Sequence, residues 1–194
     1  MAGYEETLYV QTHCQFYRGC DILGTVDFIF GDAAVVFQTC EVIVRKPMDN
    51  KQNTTTTQSR VDKHETTGIV LQKCKISADD TLKPVKKKIE GYLGRPGKEY
   101  SRTIVMESEI SDIIHPAGCK GKAVLRLKRY ITQSITNNIG GGSKVKDRAK
   151  WGGYHKEFKK EEAEKYTVAR LIQGESWLKS TGEPVRLGTY SLLR

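Results

Sequence analysis

The chain has no long hydrophobic run. Nowhere in its 194 residues does an apolar stretch approach the roughly 18 residues of a membrane-spanning helix, so we predict no membrane association. Residues Met1–Glu6 lack the basic start and apolar centre of a secretory signal. The glycine run at 140–142 is not followed by Gly-Lys-Ser/Thr, which excludes a phosphate-binding loop of that type. The length suffices for one domain with its own core.

Acidic residues are in the minority. The sequence holds 32 Lys and Arg against 23 Asp and Glu, which gives a formal net charge of +9 and a pI near 9.3. This balance suits a polyanionic partner. No RNA- or DNA-binding motif accompanies the charge, so we predict no nucleic-acid partner. The five cysteines are an odd number, and at least one thiol is therefore unpaired within the chain.

A weak internal repeat predicts the architecture. Short β-prone segments share an apolar-apolar-Gln pattern or echo it, and polar turns of unequal length separate them. The copies are Leu8–Gln11, Val36–Val42, Val70–Ile76 and Ile104–Glu107. Such recurrence is typical of the stacked rungs of a solenoid. We predict an all-β fold, a right-handed parallel β-helix, with an ordinary β-sandwich as the alternative.

Two cysteines occupy the same register of this repeat. Cys40 and Cys74 each follow the apolar-apolar-Gln pattern after one intervening residue. Stacking of the rungs would bring their Cβ atoms within disulfide range, so we predict a Cys40–Cys74 disulfide. A pair of buried free thiols is the alternative.

Outside the repeat we predict polar loops and one helix. Pro47–Thr67, with its run Thr54–Thr57, is interpreted as a solvated loop. The periodicity of Glu157–Ile172 predicts an amphipathic helix packed against the outside of the solenoid, with an ion pair between Glu161 and Lys165.

One carboxylate stands inside an apolar, β-prone run that begins and ends with glycine, Gly24–Gly31. Strict alternation would place Val26, Phe28 and Phe30 on one face of a strand and Asp27 with Ile29 on the other. An ionised Asp in such surroundings is costly unless it is paired. One interpretation is a strand-end Asp bonded to nearby backbone amides. The other is a nucleophile or an acid/base on a rigid platform.

The run Gly24–Gly31, GTVDFIFG, resembles the signature of the pectinesterases (pectin methylesterases). Further matches follow in consistent order over most of the chain: DAAVVFQTCEVIVRKPM, TTGIVLQKCKI, YLGRPGKEYSRT, HPAG, KWGGYH and LIQGESWLKSTG. The resemblance implies a parallel β-helix and a secreted cell-wall enzyme that hydrolyses the methyl esters of homogalacturonan to pectate and methanol. It implies no metal or cofactor, pectin as substrate, a proteinaceous pectinesterase inhibitor as a partner, and a monomer. The family's catalytic domain is longer, so the chain is expected to correspond to its C-terminal two-thirds.

The same resemblance assigns the site residues. Asp27 matches the nucleophile that attacks the ester carbonyl, and Arg95, in Leu-Gly-Arg-Pro, matches the arginine that orients it. Where the family has a Gln-Asp pair, this chain has Glu5 and Glu6. Glu6 keeps the carboxylate of the acid/base but adds a methylene. Glu5 replaces the glutamine that stabilises the oxyanion, and an ionised Glu has no donor to offer.

Further departures concern the substrate. Gly97 and Cys119 stand where the family has two tryptophans, which predicts weaker sugar binding. Residues 119–136 match nothing in the family, and a compensated frameshift or a genuine basic insert would each account for them. Two functional classes follow: an active pectinesterase, or a catalytically inactive truncated paralogue or pectin-binding remnant.

Overall fold

A computed structural model describes residues 1–120, 132–144, 146–148, 154–155 and 158–190. Its strands are β1 Leu8–Tyr9, β2 Cys14–Arg18, β3 Asp21–Gly24, β4 Val26–Gly31, β5 Ala34–Gln38, β6 Glu41–Val44, β7 Asn53–Gln58, β8 Gly68–Gln72, β9 Lys75–Ala78, β10 Gly91–Pro96, β11 Arg102–Met106, β12 Glu109–Ile110, β13 Thr132–Thr136 and β14 Tyr154–His155. The helices are α1 Lys160–Glu164, α2 Val168–Leu171 and α3 Gly174–Trp177, and single 3₁₀ turns lie at Lys83–Val85, Gly141–Ser143 and Leu178–Thr181.

The strands form three parallel sheets. The sheet that carries the candidate site has the order β1-β4-β7-β10, and we call it the site sheet. The others have the orders β14-β13-β11-β8-β5-β2 and β12-β9-β6-β3. Successive strands enter the three sheets in turn, so β4, β5 and β6 make one coil and β7, β8 and β9 stack on it in parallel register. The predicted parallel β-helix is confirmed.

The repeat stacks as predicted in three of its four copies. Val36 pairs with Val70, and Val70 pairs with Ile104, on adjacent strands of the six-stranded sheet. The assignment of Leu8–Gln11 to the repeat is wrong. Its strand β1 belongs to the site sheet, and the true neighbour of Val36 on the preceding coil is Phe16 of β2. The segment that begins with β1 matches the apolar-apolar-Gln pattern by chance. The pattern alone does not show to which of the three sheets a segment belongs.

The glutamines of the repeat form a buried ladder. Gln38 Nε2 donates to Gln72 Oε1 at 3.0 Å, and Gln72 Nε2 donates to Glu107 Oε2 at 3.0 Å. Gln72 Nε2 also reaches the carbonyl of Gly188 at 3.0 Å, while Arg186 N donates to Gln38 Oε1 at 2.9 Å. The ladder therefore satisfies buried polar groups and anchors the C-terminal segment to the solenoid.

Replacing Gln72 with Leu should lower the free energy of unfolding by about 1–3 kcal/mol, because it removes the donor to the Gly188 carbonyl and one of the two acceptors of the Gln38 amide nitrogen. Urea denaturation measures the effect. The exposed Gln11→Leu serves as control and should stay within about 0.5 kcal/mol of the parent. Equal stability of Gln72→Leu and the parent would show that the ladder contributes nothing.

Strands β5, β8 and β11 of the six-stranded sheet carry buried residues on both faces. Their inward residues join the core of the solenoid: Val35, Phe37, Ile69, Leu71 and Val105. Their outward residues belong to a second cluster: Ala34, Val36, Val70 and Ile104. The C-terminal segment contributes the other members: Phe158, Ala163, Tyr166, Val168, Leu171 and Ile172. The helical segment therefore packs outside the solenoid, as predicted.

The predicted single helix over Glu157–Ile172 is wrong, and Glu157 lies outside the described residues. Three short helices occupy the described part and its continuation. Thr167 is extended, with φ −78° and ψ 166°, and its hydroxyl donates to the carbonyl of Glu164 at 2.8 Å. The extended backbone of Thr167 separates α1 from α2, and its hydroxyl satisfies a carbonyl at the end of α1. Lys165 pairs with Glu162 at 2.6 Å and not with the predicted Glu161.

The predicted solvated loop over Pro47–Thr67 is also wrong at its centre. Thr54–Thr57 lie within β7, buried between β4 and β10. β-Branched threonine favours strands, and its hydroxyl can bond neighbouring carbonyls. Thr55 Oγ1 donates to the carbonyl of Tyr92 at 3.2 Å and Thr56 Oγ1 to that of Leu93 at 2.9 Å. A polar run is thus compatible with a central strand.

Cys40 and Cys74 stack on adjacent coils in the predicted register, next to the paired Glu41 and Lys75. Both are free thiols, so the predicted disulfide is not formed in this structure. Parallel strands lie about 4.8 Å apart, wider than the mean Cβ separation of about 3.8 Å in a disulfide. Cys74 Sγ lies 3.4 Å from the carbonyl oxygen of Phe37. Hydrogen bonding from Cys74 lowers the pKa of Cys40 to about 7.

Candidate active site

Strand β4 is irregular at its carboxylate. Asp27 has φ 50°, and the pairing of β4 with β7 shifts register between Val26 and Ile29. A positive φ at a residue other than glycine is uncommon and marks a local constraint. As a result Phe28 and Ile29, neighbours in sequence, both lie in the core with 0% exposure. The predicted strict alternation is therefore wrong, and the departure begins at Asp27.

The Asp27 carboxylate of β4 accepts hydrogen bonds from two side chains, Thr57 of the adjacent strand β7 and Arg95 of the next strand, β10. Arg95 Nε lies 3.0 Å from Oδ1 and 2.9 Å from Oδ2, and Arg95 Nη2 also donates to Oδ2. Thr57 Oγ1 donates to Oδ1 at 2.6 Å. Asp27 is only 7% exposed, whereas the Arg95 side chain is 43% exposed, so the charge-assisted bonds of Arg95 lie at the boundary between the carboxylate and solvent. The donors Arg95 and Thr57 are side chains, which favours the platform interpretation over a backbone-capped Asp.

Register explains why these three residues meet. Arg95 of β10 pairs with Thr57 of β7, and Thr57 pairs with Phe30 of β4. The bulge at Asp27 brings the carboxylate into this row. Hydrogen bonds to Asp27 raise the pKa of Arg95 above its ordinary value. The charge of Glu6 also raises this pKa. The guanidinium therefore stays cationic throughout the working pH range.

Glu5 and Glu6 flank the start of the same strand. Glu5 forms a parallel bridge with Val26, and the amide of Glu6 donates to the Val26 carbonyl at 3.1 Å. Both are exposed. The influence of Glu6 on the pKa of Arg95 places its carboxylate within electrostatic reach of the Arg95–Asp27 pair. Glu5 Oε1 lies 3.1 Å from Lys51 Nζ, so the charge that the sequence places at this position has a counter-ion.

An aromatic pair continues the row. Tyr9 of β1 pairs with Phe30 of β4, and their rings stack with centroids 4.7 Å apart and planes 19° from parallel. Tyr9 is 59% exposed while Phe30 is half-buried. The row Tyr9–Phe30–Thr57–Arg95 thus sets an exposed ring beside the carboxylate site.

The two positions where tryptophan is missing differ in environment. A Cβ added to Gly97 would lie 2.7 Å from Ser59 Oγ and 2.8 Å from the carbonyl of Gln58. A side chain there would require the β7 end to shift. Cys119 is buried, at 7% exposure, and bridges Gly94 through its backbone. It therefore offers no exposed surface to a ligand. Of the divergent stretch, residues 121–131 lie outside the described residues.

Three site residues escaped the sequence analysis: Thr57, Lys51 and Tyr9. Thr57 and Lys51 were hidden in the segment interpreted as a loop. Recognising Thr54–Thr57 as a β-branched strand would have placed the threonine run on the coil next to Asp27, because one coil stacks on the next, but would not have shown which threonine meets the carboxylate. Tyr9 had a weaker signal, an aromatic residue in the first short β-prone segment.

Within the described ranges, no three His, Cys, Asp or Glu side chains gather in a metal-binding cluster. No helix in that part of the chain combines the length and apolar character required to cross a bilayer.

Comparison with known proteins places this geometry in a family. The profile of the family described as Pectinesterase matches residues 1–175. A pectinesterase/pectinesterase inhibitor from Ficus pumila var. awkeotsang is 50% identical over 190 residues, covering 97% of this chain and 35% of the relative. Pectinesterase 3 from Citrus sinensis is 46% identical over 191 residues, with 97% and 32% covered. This chain thus spans about a third of the length of these curated relatives.

A solved structure agrees. The pectin methylesterase from carrot superposes with a TM-score of 0.93 at 42% sequence identity, covering 96% of this chain and 58% of the carrot chain. The family match covers most of the chain, and the relatives and the carrot structure agree with it. The chain therefore belongs to the pectinesterase family.

Proposed function

We propose that this chain is a carboxylic ester hydrolase that removes methyl groups from homogalacturonan, the methylated backbone of pectin. The observation that carries the proposal is the nearly buried Asp27 carboxylate, held by the bidentate Arg95 guanidinium on an irregular strand. A carboxylate kept ionised and oriented in this way is suited to nucleophilic attack. Family membership supplies the substrate class.

The proposed reaction has two halves. In the first, an Asp27 oxygen attacks the ester carbonyl, the bond to the methoxy oxygen breaks, and Glu6 donates its proton to the leaving methanol. The product is an anhydride between Asp27 and the sugar carboxyl group. In the second half, Glu6 takes a proton from water, the water oxygen attacks the anhydride, and pectate and the Asp27 carboxylate are released. Arg95 holds the carboxylate before attack and after release.

Binding of the sugar is assigned to the aromatic pair. Tyr9, exposed and braced by Phe30, offers a flat apolar surface beside Asp27. This surface would offset part of the loss of the two tryptophans. The net charge of +9 would favour the pectate product as well as the partly demethylated substrate.

Lys51 pairs with Glu5, the residue at the altered oxyanion position. An isolated Glu5 carboxylate would repel the developing oxyanion, but the Lys51 ammonium 3.1 Å away neutralises it. A half-exposed pair of this kind contributes little to stability. Its proposed effect is to reduce an electrostatic penalty, although it supplies no donor from residue 5 itself.

Methanol release tests the proposal. The full chain should release methanol and generate titratable acid in equal amounts from highly methylated homogalacturonan, and neither from polygalacturonate. Binding to both polymers without methanol release would contradict the proposal and favour the alternative of a pectin-binding remnant.

Restoring a donor at residue 5 should raise activity. Glu5→Gln is expected to increase kcat by about 10²- to 10³-fold, the usual contribution of one oxyanion donor. Glu5→Ala removes the charge without adding a donor and serves as the matched control. The methanol-release rate distinguishes them: equal rates for Gln and Ala would show that residue 5 does not face the oxyanion.

The cell wall is the proposed location, on family grounds. A proteinaceous pectinesterase inhibitor is the proposed protein partner, and competition of such an inhibitor with pectin for the chain tests it.

A further inference from the structure

Thr57 makes a contact with the candidate nucleophile that no family motif assigns. Its hydroxyl donates to Asp27 Oδ1 at 2.6 Å, and the residue is only 6% exposed. It lies at the C-terminal end of the threonine run, in register with Arg95 on one side and Phe30 on the other. The bond is short, charge-assisted and shielded from water, which makes it one of the stronger hydrogen bonds available to a neutral donor.

Orientation of Asp27 does not require this hydroxyl. Arg95 Nε contacts both carboxylate oxygens, at 3.0 and 2.9 Å, and Nη2 adds a second bond to Oδ2. A planar guanidinium bound in this way already fixes both the position and the plane of the carboxylate. The Thr57 hydroxyl therefore adds stabilisation of the charge on Oδ1 to an orientation that exists without it.

We propose that Thr57 restrains the nucleophile, which means that its hydrogen bond to Asp27 lowers the rate at which the carboxylate attacks. The inference rests on the proposed function: as Asp27 attacks the ester, negative charge leaves its carboxylate and develops on the former carbonyl oxygen. A donor aimed at Oδ1 is then bound more strongly in the ground state than in the transition state, and such an interaction slows the chemical step. Thr57 sets the reactivity of Asp27 below what Arg95 alone would allow.

Thr57→Val removes the hydroxyl and keeps the β-branched shape. Its kcat for methanol release should rise about 3- to 10-fold, because the transition state loses only part of the strength of this charge-assisted bond. KM should stay unchanged, because Thr57 is buried. Thr57→Ser keeps the donor and should keep the parental kcat. Thr55→Val is the matched control: it removes a buried hydroxyl from the same strand, one bonded to the carbonyl of Tyr92, and should leave kcat unchanged.

A second readout does not need catalysis. Glycidol, a small neutral epoxide, esterifies carboxylates: a carboxylate oxygen attacks an epoxide carbon, the ring C–O bond breaks, and the alkoxide takes a proton from water. Peptide mass spectrometry measures the rate of this labelling at Asp27 in the folded full chain. Thr57→Val should be labelled about 3- to 10-fold faster than the parent and Thr57→Ser, with melting temperatures recorded to confirm folding.

The two readouts separate the two proposals. Faster labelling of Thr57→Val without methanol release from any variant would retain the restraint and refute the proposed function. Methanol release with a kcat that falls in Thr57→Val and recovers in Thr57→Ser would overturn the restraint, since Thr57 would then assist catalysis. Labelling of Thr57→Val at or below the parental rate would also overturn it.

Discussion

Asp27→Asn is expected to abolish methanol release, lowering kcat by about 10⁴-fold or more, as removal of a catalytic nucleophile does in other covalent hydrolases. The amide has almost the same shape but no nucleophilic oxygen. It would also turn an NH₂ group toward the donors of Arg95 or Thr57, so the bidentate pairing would be lost. The initial rate of methanol formation from methylated homogalacturonan measures the effect.

A surface carboxylate provides the control for this substitution. Asp80 has a 95% exposed side chain and pairs with Lys83 in a local i,i+3 contact, so Asp80→Asn should retain the parental rate. A rate for Asp27→Asn within about tenfold of the parent would mean that another group attacks the ester.

Phe28→Ala is expected to have the largest effect on stability. Phe28 is completely buried beside the irregular residue and ranks among the largest fully buried side chains of the described core. Truncating a buried phenylalanine usually costs about 3–5 kcal/mol, because the cavity adds to the lost burial. Urea denaturation should show this loss as a lower midpoint. It is a large part of the roughly 5–15 kcal/mol that stabilises a typical domain.

A milder variant keeps this prediction testable if Phe28→Ala fails to fold. Phe28→Leu preserves most of the volume and should cost distinctly less than the alanine variant. Equal midpoints for Phe28→Leu and the parent, together with a loss below about 1 kcal/mol for Phe28→Ala, would contradict the assignment of Phe28 to the core.

The architecture was largely predictable from the sequence because a solenoid repeats its pattern. Val36, Val70 and Ile104 stack as the repeat requires, and the intervening coils carry one strand to each sheet. The helical segment was misjudged because amphipathic periodicity does not reveal a break in the helical backbone. Thr167 is extended and interrupts the helix, and tertiary packing fixes the segments on the outer face of the sheet.

The prediction of a loop at the threonine run Thr54–Thr57 was wrong for a different reason. Four consecutive polar residues resemble a loop when only polarity is considered. In the fold each residue lies between two strands, and threonine hydroxyls can bond carbonyls that a side chain of another shape would not reach. The number of residues between β4 and β7 decides which threonine meets Asp27, and that number depends on the path of the turn.

For the site, sequence reasoning identified Asp27 as an unusual carboxylate, and the family resemblance identified Arg95 as its partner. The structure brings the two together across β7, 68 positions apart in the chain. The counter-ion Lys51 and the donor Thr57 could not be inferred, since each depends on a turn conformation or on the bulge at Asp27. The positive φ of Asp27 has no counterpart in an alternating pattern.

The most direct test of the account is to trap the proposed acyl intermediate. The full chain is mixed with a short methylated oligogalacturonide, quenched in acid within milliseconds to seconds, digested and mapped by mass spectrometry. The account predicts a sugar acyl group on the peptide that contains Asp27, formed together with methanol and absent from Asp27→Asn. Methanol formation by Asp27→Asn at the parental rate would contradict the account. An acyl group attached to Glu6 instead of Asp27 would also contradict it.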